Sequence, residues 1–390
     1  MLALKDDMTL THLGDEYDRY LDAVIPPIFM NSLHVKKNMK DLNSVERFSD
    51  ENFIYGRESN PTVMIAEKKI AALEHGTMAL CFSSGMSATT SAILSVCNAG
   101  DHVICIRNIY GPTKIFLDQY CEPKFNITTT YVKGDDLAEI EAAVQSNTKI
   151  IVFESPASLV FNVCDIRAIV KLAKAHGIRT LIDNTYCTPL FQKPLDMGVD
   201  FVMHTATKYL GGHSDIIAGA LVSNDTEIMQ GIACRERELY GSILGPMEAW
   251  LLIRGLRTLR VRLEAHQAAA LQVAEYLEKN PKVKAVHYPG LASHPQHELI
   301  AKQQTGSSGL LSFELDTSFE NSEKMCDSLE VFQAGVSWGG FESLKSMPFY
   351  KLSESEVAWH GGSRSIIRLH VGLEGVENQL DALEHALKAL

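Results

Sequence analysis

Between residues 78 and 223 one device recurs seven times: a short apolar run, several rich in β-branched residues, followed by a longer stretch of helical period or polar character. The runs are 78–82 (MALCF), 102–106 (HVICI), 127–132 (ITTTYV), 149–153 (KIIVF), 179–183 (RTLID), 201–204 (FVMH) and 218–223 (AGALVS). Short apolar runs alternating with helices specify a mainly parallel seven-stranded sheet covered on both faces, an α/β domain. Intervening helices are expected at 135–145 and 165–176, the second stopping at His176-Gly177. With right-handed crossovers, such a sheet takes its ligands at the carboxyl ends of its strands.

The remainder divides around that sheet. The segment from Pro246 to Asn280 reads as helix, interrupted near Gly255; strand-like pieces follow at 283–287, 310–315 and 366–371, and a helix at 375–389. This predicts a smaller C-terminal α/β domain over 256–390 beside a large domain over 62–255. Residues 1–61 show no sustained period, contain Pro26-Pro27, and carry Tyr55 and Arg57 just before an Asn60-Pro61 turn signal. They read as an arm that packs on something else.

Composition excludes several functions. A net charge of −12 opposes binding to nucleic acid unless basic residues are segregated. The nearest cluster, Arg254, Arg257, Arg260 and Arg262, reads as a solvated or ion-paired helix face. The eight cysteines are scattered without a CxxC pair or a secretory leader, as expected of reduced thiols in the cytoplasm. No apolar run approaches the ~20 residues of a membrane span. His287, His294 and His297 lie in a proline-containing stretch without a helical HxxxH face or paired carboxylates, so loop structure is expected there and no metal.

The chemistry concentrates where strands end. In Thr205-Ala-Thr207-Lys208-Tyr-Leu-Gly-Gly-His213-Ser-Asp215 a lysine stands among small hydroxyl residues just past the run 201–204. A lysine there suits an enzyme that needs an amine to hold a cofactor aldehyde and to move a proton, with hydroxyls beside it for phosphate. Asp183 ends the run 179–183, where a carboxylate can pair with a pyridine nitrogen; alone it reads better as a cap or loop aspartate, and it gains weight beside Lys208. Ser84, Gly85 and Met86 join the run 78–82 to a helical segment, and amides at a helix start bind anions, although a tight turn uses the same residues. The segment is neither GxGxxG nor GxxxxGK, which argues against dinucleotides and nucleoside triphosphates. Tyr110 follows the run 102–106 at the same edge, placed to stack on a ring. Arg368, in a C-terminal strand, is suited to a bidentate grip on a carboxylate.

Together these residues resemble the Cys/Met-metabolism family of pyridoxal-phosphate (PLP) enzymes over nearly the whole chain. The resemblance extends to VIPPIF at 24–29, YGRESNPT at 55–62, SSGMSA at 83–88, HYPGLASHPQH at 287–297, SWGGFESL at 337–344 and IIRLHVGLE at 366–374. It implies the aspartate-aminotransferase-like fold (fold type I) and PLP as cofactor. Lys208 would be its attachment point, Asp183 the pyridine partner, Tyr110 the stacking ring, and Thr205, Thr207, Ser84, Gly85 and Met86 the phosphate ligands. It further implies a homotetramer, a dimer of dimers, in which Tyr55 and Arg57 reach the neighbouring subunit's cofactor. Arg368 would hold the carboxylate of a small sulfur amino acid, with Ser337, Trp338, Tyr55 and Tyr110 beside it.

Family members break bonds at Cβ or at Cγ. Ser158 in Glu154-Ser-Pro-Ala-Ser158, where γ-acting members carry asparagine, and Trp338 after Ser337 both resemble bacterial cystathionine β-lyases, enzymes of methionine biosynthesis. The NPT at 60–62 resembles γ-acting members, so methionine γ-lyase, cystathionine γ-lyase and γ-synthase stand as the alternatives. A catalytically silent PLP-binding protein would be expected to lack Lys208, Asp183 or Arg368, and all three are present.

Overall fold

The computed structural model describes residues 5–45 and 52–390. Its large sheet holds β1 (Met78–Phe82), β2 (His102–Ile106), β3 (Thr128–Val132), β4 (Thr148–Glu154), β5 (Arg179–Asp183), β6 (Phe201–His204) and β7 (Gly219–Ser223) in the order β1-β7-β6-β5-β4-β2-β3. All neighbours are parallel except β7, which runs antiparallel to β1 and β6. Every residue of β2, β6 and β7 is buried, which is why these strands read as unbroken apolar runs. The chain leaves β2 for the edge at β3 and returns to β4 on the other side of β2, so strand order reverses at the β2/β4 pair. A crevice at such a reversal is where open α/β sheets bind ligands.

A second sheet is formed by β8 (Val283–His287), β9 (Leu310–Leu315), β10 (Gln333–Ala334), β11 (Leu344–Ser346) and β12 (Ile366–His370), ordered β10-β11-β12-β9-β8 and mainly antiparallel. Each sheet has its own apolar cluster. The 20-residue helix Leu259–Glu278, about 30 Å long by its rise, begins in the first cluster with Leu259 and Leu263 and continues into the second with Ala270, Val273 and Leu277.

Three local expectations are revised. Asn60-Pro61 starts a helix rather than a turn: the Asn60 side chain accepts the Thr62 and Val63 amides, and Pro61 occupies the first turn of Pro61–Leu73. The helical stretch after Pro246 breaks at Thr258, between Pro246–Arg257 and Leu259–Glu278, and not at Gly255. Gly255 sits inside the first helix because the backbone of Leu210 and Gly211 abuts it; a Cβ there would lie 2.3 Å from the Gly211 carbonyl oxygen. Arg262 is not on a solvated face. It is buried and donates to the carbonyls of Tyr209 and Gly255, both at 2.8 Å. Arg257 and Arg260 do form ion pairs, with Asp15 and Asp7.

Those pairs bind the N-terminal segment to the body of its own chain. Lys193 pairs with Asp6, the buried Lys69 amine caps the Thr9 and Leu10 carbonyls, and the Trp250 indole N–H donates to the Pro26 carbonyl. The first part of the expected arm is therefore docked, while Met30, Leu33, Val35 and Met39 beyond it are exposed. All eight cysteines are free thiols, and no helix among the described residues is long and apolar enough to cross a membrane.

Gly255→Ala tests the packing of this helix on the Lys208–Gly211 segment. In an unconstrained helix interior the change stabilises by about 1 kcal/mol. Here overpacking against backbone is expected to reverse the sign, costing about 1–3 kcal/mol and lowering the melting temperature. A raised melting temperature would show that the two segments are not in contact.

Candidate active site

The last residues of β4 and β5, Glu154 and Asp183, are register partners in a parallel pair, so two carboxyl groups leave the sheet side by side. Asp183 Oδ1 accepts the Thr185 backbone N–H at 2.9 Å and the Thr185 hydroxyl. That hydroxyl in turn accepts the Thr205 N–H at 2.8 Å, which ties the turn after β5 to the lysine-bearing segment after β6. Burial raises the Asp183 carboxyl above its ordinary range, opposed by the Thr185 donors and the charges of His204 and Lys208. Glu154 is pushed well above its range, by burial first and Asp183 second. Each acid accepts one backbone N–H and one hydroxyl, but Asp183 faces both His204 and Lys208 where Glu154 faces Arg368, so Glu154 is the more strongly raised of the two.

Lys208 projects toward this pair. Its Nζ donates to the Ser337 hydroxyl at 2.7 Å and lies 5.4 Å from the centre of the Trp338 ring. Burial, reinforced by Arg368, lowers its amine to about 8 against the attraction of Asp183 and Glu342. Ser337 and Trp338 are brought in by a loop that rests on the lysine itself. Gly339 has φ of +85°, and a Cβ there would lie 2.7 Å from the Tyr209 nitrogen and 2.9 Å from the Lys208 carbonyl carbon. Below the loop, buried His370 meets the Gly339 nitrogen and the Gly340 oxygen at 3.1 Å through one ring nitrogen, and burial holds its imidazole down at about 4. Two residues earlier on β12, Arg368 donates to the Val336 carbonyl at 2.8 Å, and burial lowers its pKa against the pull of Glu154 and Tyr110.

The third wall is the start of helix Gly85–Val96. The Ser84 hydroxyl caps it by accepting the Ser87 N–H at 3.1 Å. Gly85 lies so close to Thr205 that a Cβ would come within 2.2 Å of its hydroxyl oxygen, and one on Gly219 would meet the Ser84 carbonyl oxygen at 2.1 Å. Three segments thus meet at backbone distance around a helix N-terminus, an arrangement that aims amides at an anion. Met86 follows in the first turn, and its sulfur accepts the Thr113 hydroxyl at 3.8 Å. The Thr207 hydroxyl is engaged with Ala218, accepting its N–H at 3.0 Å and donating to its carbonyl at 3.2 Å. Tyr110 caps helix Gly111–Phe116, and its phenol, half exposed, is raised by burial and by Asp183.

Lys208, Asp183, Tyr110, Arg368, Ser337 and Trp338 therefore converge with the Ser84-Gly85-Met86 turn and Thr205. Tyr55 and Arg57 stand apart: the Arg57 guanidinium lies 5.3 Å from the Tyr55 ring centre and donates to the Glu238 carbonyl at 3.3 Å. Sequence reasoning passed over Glu154 as a site residue although it ends the run TKIIVFE just as Asp183 ends RTLID. It also missed Thr185, whose role arises from a contact across 20 residues. His287 closes β8 and pairs with Glu314, and His297 opens a helix, instead of lying in loop. A cavity of about 720 Å³ between segments 328–333 and 374–389 contains none of the clustered residues.

A buried amine with a depressed pKa, an acid across from it, an anion cradle and a guanidinium are the donors that PLP and an amino acid require, and the Gly85–Thr205 approach leaves the helix start open to a phosphate. The residues fit the group.

The family model described as Cys/Met metabolism PLP-dependent enzyme matches residues 7–388. L-methionine gamma-lyase of Treponema denticola is 37% identical over 385 residues, covering 97% of this chain and 96% of that protein. Cystathionine beta-lyase of Lactococcus lactis subsp. cremoris is 39% identical over 382 residues, covering 97% of each. The crystal structure of cystathionine gamma-lyase from Lactobacillus plantarum complexed with L-serine superposes with a TM-score of 0.92 at 35% identity, covering 99% of both chains.

The lowered amine has a measurable consequence. A depressed pKa means that the neutral, nucleophilic form already predominates above about pH 8. Uptake of PLP by cofactor-free protein, followed by absorbance, is expected to reach half its maximal rate near pH 8; a midpoint near 10 would show an amine free of this environment.

Proposed function

The chain belongs to the Cys/Met-metabolism PLP-dependent enzymes, and we propose that within that family it breaks the Cβ–S bond of L-cystathionine, with water yielding homocysteine, pyruvate and ammonia. The observation that carries the reading is the Lys208 amine, depressed by burial yet within reach of Asp183 and Arg368, at the mouth of an anion cradle. PLP when bound supplies an aldehyde for an amine and a ring that takes up the electron pair left by a bond broken at Cα.

In this reading Lys208 would hold the cofactor and, when its amine is free, would take the Cα proton, a task suited to an amine near pH 8. Asp183 would pair with the pyridine nitrogen, the Ser84-Gly85-Met86 amides with Thr205 and Thr207 would receive the phosphate, and Tyr110 would stack on the ring. Arg368 grips the substrate carboxylate. Ser337 holds Lys208 in line, and Trp338 walls the sulfur side. Protonation of the departing sulfur has two candidates in this reading, Tyr110 and Lys208.

What supports cleavage at Cβ over Cγ is Ser158, whose hydroxyl donates to Glu154 at 2.8 Å, together with Trp338 beside the lysine. Cleavage at Cγ requires a second proton to be moved from Cβ. The NPT motif and the γ-lyase relatives favour that alternative, and product analysis separates them. We further propose a cytoplasmic homotetramer with residues 1–61 as an arm, 62–255 as the cofactor-binding domain and 256–390 as the C-terminal domain. Support comes from the exposed Met30, Val35 and Met39, and from Tyr55 and Arg57, which lie together beside Glu238 and away from the site of their own chain.

Incubation of PLP-loaded enzyme with L-cystathionine is expected to give homocysteine and pyruvate, and with L-methionine no methanethiol. Cysteine with 2-oxobutyrate, or methanethiol, would make it a γ-lyase. Replacing Arg368 by lysine removes a bidentate grip and is expected to lower kcat/KM roughly tenfold to a hundredfold, read by steady-state kinetics; an unchanged value would remove Arg368 from the substrate site.

A further inference from the structure

Glu154 is buried at the end of β4, and both of its carboxyl oxygens are engaged. Oε2 accepts the Tyr110 backbone N–H at 3.1 Å, and Oε1 accepts the Ser158 hydroxyl at 2.8 Å. Both partners lie on loops beside the reacting centre, and the loops are joined once more where the Ser158 N–H donates to the Asn108 carbonyl at 3.0 Å. Tyr110 stands at the N-cap position of helix Gly111–Phe116 without a side-chain bond to it, so the helix start does not fix the ring. Burying a carboxyl group is costly unless its bonds are made, and the two side-chain bonds made here go to loops that carry residues of the site.

We propose that Glu154 is a positioning residue: by holding the Tyr110 N–H and the Ser158 hydroxyl together, its carboxyl group fixes the orientation of Tyr110 beside Asp183 and Arg368. The proposal rests on the site assignment above but not on whether Cβ or Cγ is attacked. The groups facing Glu154 are Asp183 from β5, Arg368 from β12, and Tyr110 and Ser158 from the two loops. Burial and the neighbouring Asp183 favour the protonated acid over the second anion. A glutamine there has the same shape: its oxygen can accept the Tyr110 N–H while its nitrogen faces Ser158, whose hydroxyl can turn from donor to acceptor.

This makes the variants discriminating. With holoenzyme, Glu154→Gln is expected to keep kcat/KM within about threefold of wild type and to leave the pH profile of kcat/KM in place. Glu154→Ala strands the Tyr110 N–H and is expected to lose roughly tenfold to a hundredfold. Because the loss acts through the Tyr110 ring, Glu154→Ala and Tyr110→Ala combined are expected to cost little more than Tyr110→Ala alone. Equal losses for glutamine and alanine would show that a charge is required and overturn the proposal, as would losses that add in the double variant. Should Glu154→Ala fail to fold, Glu154→Asp decides: one carbon shorter, it cannot reach both loops and should lose at least tenfold while glutamine does not, and equal activity of the two would overturn it. Cofactor uptake is read separately by absorbance. A wild type that takes up no PLP strikes the site assignment, whereas additive losses strike Glu154.

Discussion

Two carboxyl groups held side by side on adjacent strands, in a place from which water is largely excluded, set the conditions that the rest of the molecule meets. Glu154 and Asp183 are neighbours by β-sheet register alone, and their mutual repulsion is not screened there. Both acids are supplied with a hydroxyl and a backbone donor, Asp183 from Thr185 and Glu154 from Ser158 and Tyr110, and burial raises Glu154 the more. The compensating cations come from distant parts of the chain, Lys208 from the turn after β6 and Arg368 from the second sheet. The two sheets therefore have to meet at this point, and the site is assembled by that meeting.

Close approach is what glycine permits here. Gly219 against Ser84, Gly255 against Gly211 and Gly339 against Lys208 are contacts of backbone on backbone, with no room for a Cβ. Buried Arg262 ties the Tyr209 and Gly255 carbonyls together just behind the lysine, and buried His370 supports the loop of Ser337 and Trp338. A depressed amine is not by itself enough for chemistry. Lys69 is also lowered to about 8, but its amine is consumed by the carbonyls of Thr9 and Leu10 and serves to dock the N-terminal helix.

The inner strands were legible in the sequence because strands buried on both faces leave no polar alternation to obscure them, the partly exposed edge strand β3 by its run of β-branched threonines, and Asp183 and Lys208 because one ends such a strand and the other follows one. Glu154 ends one too, yet its role depends on where two loops fold back, which no local pattern records. Arg262 was misread because helical spacing says which residues share a face and not which face is buried. Gly255 was read as a helix break on its usual propensity, whereas its place is set by a neighbour 44 positions earlier. The docking of the N-terminal segment through Asp7 and Arg260 or Asp15 and Arg257 joins residues more than 240 apart and leaves no local signature.

The central claim is that one lysine, chosen by geometry and not by amine pKa alone, carries the cofactor. Borohydride reduction of the PLP-loaded protein, followed by digestion and mass spectrometry, reads this directly. The account predicts a single phosphopyridoxyl group on the peptide containing Lys208, with Lys69 unlabelled; a label on Lys69, or one spread over surface lysines with Lys208 unmodified, would contradict it.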